Sequence, residues 1–424
     1  MQFSPEVLAV AEDMVSRRRY IHQHPELSFE EFETTAYIEN RLKEIGGYEI
    51  KRITKTGLIA DLKGGHPGKR IALRADIDAL PITEETDVPF RSENPGVMHA
   101  CGHDAHAATM LTLAKLLYDK KESLHGDVRL IFQFGEEQPP GGAKPMVEAG
   151  AMEGVDEVFG LHYTSSYPTG KMCIREGAVT SAVDRVDISV FGKGGHSSTP
   201  EITVDPIVMS AQIILALQTI VSRRISALDS AVISVCILNA VSSSYNVIPD
   251  EVRMTASIRT FSEEVRSAMP GRIEAILKGI TESAGGSYKM NYLFGYDYVI
   301  NDKQITADVK KLICDVFGED AAIDVKPFMG SEDFSAFLAK APGYFLWCGA
   351  GNPEIHADVP HHNALYKLDE EAMKYGAEYF YRLVLRRLGA ECRGRSSLYF
   401  SRFDSRRRMP CLGARRSLPF FEGK

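Results

Sequence analysis

Apolar positions along the chain form short runs that alternate with longer helical stretches. Residues 48–53 (YEIKRI), 57–64 (GLIADLKG) and 70–78 (RIALRADID) read as strands, and 104–121 (DAHAATMLTLAKLLYDKK) carries a helical period. The run that follows, 127–134 (DVRLIFQF), is apolar without alternation, the pattern of a strand covered on both faces. Strands interleaved with helices in this way specify an α/β fold class centred on a sheet. At the N-terminus, Glu6 and Glu12 interrupt an apolar stretch that lacks a basic leader, so an amphipathic helix is expected there and not a signal peptide.

Between residues 181 and 293 the rhythm changes to strand (183–194), helix (204–224), two strands (230–240 and 246–261), helix (262–285) and strand (287–296). That β-α-β-β-α-β order is the signature of a ferredoxin-like unit. The α/β rhythm resumes afterwards with 305–318 and a closing helix over 368–389. The expected organisation is therefore a catalytic domain in two parts, 1–180 and 294–390, interrupted by an inserted lid or dimerisation domain, 181–293. The last segment, 391–424, has neither helical nor strand periodicity and carries eight Arg and one Lys against three acids. A disordered basic tail is expected there.

A length of 424 residues is consistent with more than one domain, and 44% hydrophobic with 25% charged residues is a water-soluble balance. The net charge of −8, with its positive part concentrated in the tail, argues against nucleic acid as the main partner of the body. The longest apolar run, within 207–221, is broken by Gln212 and Gln218, so no membrane span is expected. Seven cysteines without a C-x-x-C pair fit reduced thiols in a cytoplasmic protein.

The chemistry concentrates in 97–107, VMHACGHDAHA, where three histidines and a cysteine fall within eight residues. His99, Cys101 and His103 alternate and would project to one side of an extended segment, with Asp104 as the N-cap of the next helix. A thiolate with neutral imidazoles suits zinc or a similar divalent ion. Two further candidates end predicted strands. Glu136 and Glu137 follow the core strand 127–134, and His162 lies in EVFGLHY, where it could equally be a core residue. Paired carboxylates allow one to bind metal while the other moves protons. Arg74, Asp76 and Asp78 alternate along LRADID, either as a layer orienting ligands or as an ordinary ion pair. Glu332 and Asp333 read more readily as helix caps, and His361 and His362 as a loop before the last helix.

Taken in order, RADIDALP, HACGHDAH, GEEQPPGGA, GLHY, GKGGHSSTPEITVDPI, NVIPDE, GSEDFSAFL and HHNALYKLDEEA resemble the metal-dependent amidohydrolase branch of the di-zinc peptidase clan. That branch holds N-acyl-amino-acid amidohydrolases, hippurate hydrolases and auxin-conjugate hydrolases, and the resemblance spans roughly residues 5 to 390. It implies a homodimer with a small-molecule substrate and two divalent ions per subunit: zinc, manganese, cobalt or nickel. The implied metal ligands are Cys101, His103, Glu137, His162 and His362, with Cys101 bridging. Glu136 becomes the general base and acid. His196, which on its residues alone is a turn histidine, becomes an oxyanion-stabilising group from the inserted domain, and Asn246 and Arg259 become contacts for the substrate carboxylate. A guanidinium suits that task, although Arg259 could instead pair with Asp250 or Glu251. The chain departs from the family's frequent Gly-Gly pair, reading NAVSSSYN before Asn246. Rival readings are a dipeptidase or aminopeptidase of the same clan and a zinc or redox protein built on Cys101.

Overall fold

In the computed structural model, residues 3–240 and 244–389 are described. The expectation for the basic tail, like most of the serine run before Asn246, lies outside them.

The principal sheet has eight strands in the order Tyr48–Arg52, Leu58–Leu62, His125–Gln133, His66–Asp76, Glu157–Pro168, Gly343–Gly351, Met172–Ile174, Ala322–Asp324. The four central strands, from His125–Gln133 to Gly343–Gly351, run parallel. Gly343–Gly351, from the far end of the chain, slots between two strands that are nearly consecutive in sequence. Alternation along each strand sends residues to two cores. Leu73 and Phe132 join Met14, Ile38, Leu113 and Val384 under the long helices, whereas Ala72 and Ile131 join Met146, Phe334 and Phe337 under short ones. Burial of both faces explains why 127–134 reads as apolar without a period of two.

The second sheet has the order Ala231–Ala240, Glu251–Thr260, Ala182–Phe191, Ser287–Phe294, entirely antiparallel. Helices Pro206–Arg223 and Glu263–Ser283 cover one face, where Ile213, Leu217, Met269 and Ile273 meet Val186, Ile188 and Ile258 in a separate core. By length and composition alone, Pro206–Arg223 could cross a membrane. It is the helix expected over 204–224, and Gln212 and Gln218, which break its apolar run, sit on its exposed side.

Candidate metal centre and active site

The donors converge at the carboxyl ends of the parallel strands, where such sheets place their sites. Strand His66–Asp76 is followed by a long loop that descends through His99 and Cys101 to the helix His103–Lys120. Gly102, at φ 86°, makes the turn into that helix. A side chain there would also crowd the Tyr366 hydroxyl, 3.0 Å from a Cβ built on Gly102.

Cys101, His103 and His162 present donor atoms within 4.8 Å of one another, and so do Cys101, Glu137 and His362. The thiol belongs to both groups. Cys101 Sγ lies 3.5 Å from His162 Nε2, and Glu137 Oε1 lies 3.2 Å from His362 Nε2 and 3.8 Å from His103 Nε2. The far nitrogen of each buried imidazole in these two groups, His103 and His162, is already engaged. His103 Nδ1 meets the Asp78 carbonyl at 3.0 Å and its Oδ1 at 3.1 Å, and His162 Nδ1 meets the Tyr163 carbonyl at 2.6 Å. Those bonds place the proton on Nδ1 and turn the Nε2 lone pairs toward the cluster. His103 Nε2 and Glu137 Oε1 are buried without a hydrogen-bond partner. Burial and the neighbouring Glu137 and Glu136 push the Cys101 thiol well above its ordinary pKa, and burial, His106 and His361 hold His162 well below its own. Orphaned donors around a thiol that can ionise only against added positive charge are what a cation cluster requires, so these residues fit one.

Glu136 is buried beside the cluster, and burial with Glu332, Glu137 and Asp333 raises its carboxyl well above the usual range. Behind it lies Arg74, itself fully buried. Its Nη1 donates to Asp76 at 2.6 Å, and its Nη2 donates to Glu332 at 2.9 Å and Asp333 at 3.1 Å. Burial outweighs Arg74 for the two acids, leaving Glu332 at about 8 and Asp333 at about 6. Glu332 and Asp333 do not cap the following helix, whose N-cap is Phe334 without a side-chain bond; Glu332 accepts from Phe334 N–H beside Arg74, and Asp333 accepts from Gln133 Nε2 at 2.7 and 2.8 Å and from Ala143 N–H. For Arg74, Asp76 and Asp78 both expectations hold at once, an ion pair and a layer orienting histidines.

Several residues differ from the sequence reading. His99 does not join the cluster. The chain turns after it, and its buried ring lies 6.3 Å from that of His22, on the far side. Asp104 is not the N-cap, a position held by Gly102 without side-chain help. Asp104 is buried in the first turn, accepting from Arg18 at 2.7 Å and bonded to His22 Nδ1 at 2.7 Å. His106 and its partner Asp76 escaped notice as a pair. His106 Nδ1 lies 2.5 Å from Asp76 Oδ1 and its Nε2 accepts from Tyr163 N–H at 3.0 Å, so both nitrogens are spent and the ring braces the site. Its spacing three residues after His103 on one helix face was the available signal. His361 stands close to His162, with ring centroids 5.3 Å apart. His362 adopts a left-handed backbone at φ 61°, secured by its N–H to the Ala100 carbonyl at 2.9 Å.

In the inserted unit, the two-residue strands Gly195–His196 and Val247–Ile248 pair, so Asn246 is a neighbour of His196. His196 is exposed, and its Nδ1 accepts from Ser198 N–H at 3.1 Å, which leaves the proton on Nε2. Arg259 pairs with neither Asp250 nor Glu251, and its Nη1 is buried without a partner. Glu251 instead holds Arg253 at 2.8 Å. Along the strand Glu251–Thr260, Arg259 is roughly 27 Å from the Asp250 end that adjoins His196 and Asn246. One chain therefore does not gather all three.

This sheet, its shared-thiol donor set and the carboxylate beside it define a hydrolase built around cations. The chain belongs to peptidase family M20/M25/M40, whose profile matches residues 72–386. It is 45% identical over 292 residues to an N-acyl-L-amino acid amidohydrolase of Geobacillus stearothermophilus, covering 69% of this chain and 79% of that one. It is 39% identical over 374 residues to an N-acetylcysteine deacetylase of Bacillus subtilis, covering 88% and 96%. The crystal structure of Bacillus subtilis YXEP protein, described as a dinuclear metal binding peptidase, superposes with a TM-score of 0.79 at 36% identity, covering 90% of this chain and 99% of that one.

Proposed function

We propose that this protein hydrolyses the amide bond of N-acyl amino acids, releasing a carboxylic acid and a free amino acid, with two divalent cations as cofactor. The observation that carries the reading is the thiol of Cys101 shared between two donor groups, with a second carboxyl, Glu136, within 4.8 Å of the donor atoms of His103 and Glu137. Cys101, His103 and His162 would hold one cation, and Cys101, Glu137 and His362 the other. When bound, the pair supplies Lewis acidity that brings the pKa of water down to roughly 7 and polarises the scissile carbonyl. Glu136 accepts the proton of the attacking water and delivers it to the leaving nitrogen as the C–N bond breaks. Burial and the neighbouring Glu332 and Glu137 raise its carboxyl above the ordinary range, the direction that favours a carboxylate taking up a proton. His196, protonated at Nε2, stabilises the developing oxyanion, while Asn246 and the unpartnered Arg259 bind the substrate carboxylate.

The unit 181–293 acts as lid and dimerisation domain of a homodimer. Two observations support a second copy: His196 and Asn246 lie at the opposite end of their unit from Arg259, and an apolar edge faces outward. On that edge, strand Ala231–Ala240 exposes Ile237 and Leu238 and the adjoining helix exposes Val208 and Leu215, each to about half or more. All five described cysteines are free, in keeping with a cytoplasmic setting.

The test is a set of acetylated and benzoylated amino acids, beside free dipeptides, given to metal-stripped protein with zinc, manganese, cobalt or nickel restored. The acylated amino acids should be cleaved faster with at least one ion, and preference for dipeptides would make the protein a peptidase of the same family. Cys101→Ala should lose cations from both positions, and full occupancy in that variant would remove the shared thiolate.

A further inference from the structure

The peptide that joins Glu136 to Glu137 is held at both of its polar atoms. Its N–H donates to Asp78 Oδ2 at 3.0 Å, and Asp78 also takes Ser28 Oγ at 2.7 Å and His103 Nδ1 at 3.1 Å. Its carbonyl accepts from the Tyr296 hydroxyl at 3.0 Å. Because a peptide is planar and contains both flanking Cα atoms, its tilt sets where the two carboxylates leave the backbone.

Tyr296 is tied by its main chain to the inserted unit and reaches with its side chain the proposed active site. It lies just beyond strand Ser287–Phe294, on the return to the principal sheet. The Tyr296 carbonyl accepts from Val183 N–H at 3.0 Å and from Arg266 Nη2 at 3.3 Å, and Arg266 Nη2 also reaches the Gly295 carbonyl at 3.1 Å. Gly295 N–H donates to Asp184 Oδ1 at 3.1 Å, and the buried Arg266 to Asp184 contact, 2.7 Å, locks the clamp. Val183, Asp184 and Arg266 all sit in the inserted unit. The ring meanwhile crosses to the loop after Glu137, so close that a Cβ on Gly141 would lie 2.7 Å from Tyr296 Cε1. Burial, with Asp333 and Glu136 nearby, raises the phenol far above its ordinary pKa, so it remains a donor.

The geometry points to Tyr296 as a positioning residue through which the inserted unit sets the orientation of the Glu136–Glu137 peptide. This rests on the proposed roles of Glu136 as proton carrier and Glu137 as cation ligand. A unit displaced from this position withdraws the hydroxyl and leaves the carbonyl without its only donor among the described contacts, so the proton carrier is aligned when the lid stands in place.

Tyr296→Phe keeps the ring and removes the single bond. In the cation-loaded protein with an N-acetyl amino acid, kcat should fall about five- to tenfold, KM should stay within about twofold, and cation content should be unchanged. A native kcat, or a loss confined to KM, overturns the inference, as does a fall in kcat that tracks lost cations. Glu136→Gln run alongside separates the two failures. If that variant still turns over, the proton-carrier assignment fails; if it is inert while Tyr296→Phe matches the native enzyme, only the phenol's role fails.

Discussion

The cation-binding face of the principal sheet and the two ends of the inserted unit carry parts of one proposed reaction, and they are built in opposite ways. At the sheet, each buried imidazole has its rear nitrogen fixed by a carbonyl or carboxylate, and those acids are fixed in turn by Arg74, Ser28 or His106. In the inserted unit, by contrast, His196 at one end is exposed with Ser198 bonded to its ring, and Arg259 at the other end has a guanidinium nitrogen without a hydrogen-bond partner among the described residues. The difference separates chemistry from recognition. Groups that must meet cations at ångström tolerances are braced before anything binds, whereas groups that read a substrate carboxylate are left unsatisfied until it arrives.

The largest expected effect probes the braced half. Glu136→Gln preserves volume and hydrogen bonding, so the cations should remain by elemental analysis while kcat drops by roughly 10²- to 10⁴-fold. Retained turnover would mean that the carboxyl beside the cluster is only scaffolding. Next comes the inserted unit: His196→Ala should cost about 10²- to 10³-fold in kcat with little change in cation content. An unaffected kcat would place the inserted unit outside the chemistry and collapse the contrast. Arg259→Met should act mainly on KM, raising it about ten- to a hundredfold for substrates with a free carboxylate. An equal effect on an amidated substrate would argue against carboxylate recognition.

The smallest effect concerns how the braced half is held. His22, buried between Asp104 and Glu84, has its pKa raised above 6.5 by those acids even though burial works the other way. A raised histidine pKa stabilises the fold fully below the unfolded value and loses that contribution as pH rises through the folded value. The melting-temperature advantage of the native protein over His22→Gln should therefore shrink as pH climbs above 6.5. A pH-independent difference would show that the imidazole is held neutral.

Much of this was legible in the chain. Cys101 and His103 stood out by the density of histidine and cysteine just before a helical run, and Glu136 and Glu137 by following a core strand; His162, expected at a strand end, lies inside Glu157–Pro168. The succession of strands and helices over 181–293 was legible because alternation in 251–260 and helical spacing in 206–223 are local properties. His99 was misplaced because alternation describes a straight segment, and the backbone bends at Gly102. Asp104 was misjudged because its partner, Arg18, looks in sequence like one of three surface arginines on an amphipathic helix. Tyr296 has no motif at all. Its importance depends on two backbone segments meeting across the fold, and nothing near it in sequence records that meeting.

Strand Gly343–Gly351 has a consequence for biosynthesis. Since it lies between Glu157–Pro168 and Met172–Ile174, those two remain without their shared neighbour while the first 340 residues leave the ribosome. The inserted unit, contiguous from Ala182 to Phe294, can complete its own sheet during that wait. His362 emerges later still, so the donor group proposed to combine it with Cys101 and Glu137 stays incomplete until that residue has been made. On that assignment the group of Cys101, His103 and His162 is synthesised some two hundred residues before its neighbour, so the two positions would become able to load one after the other.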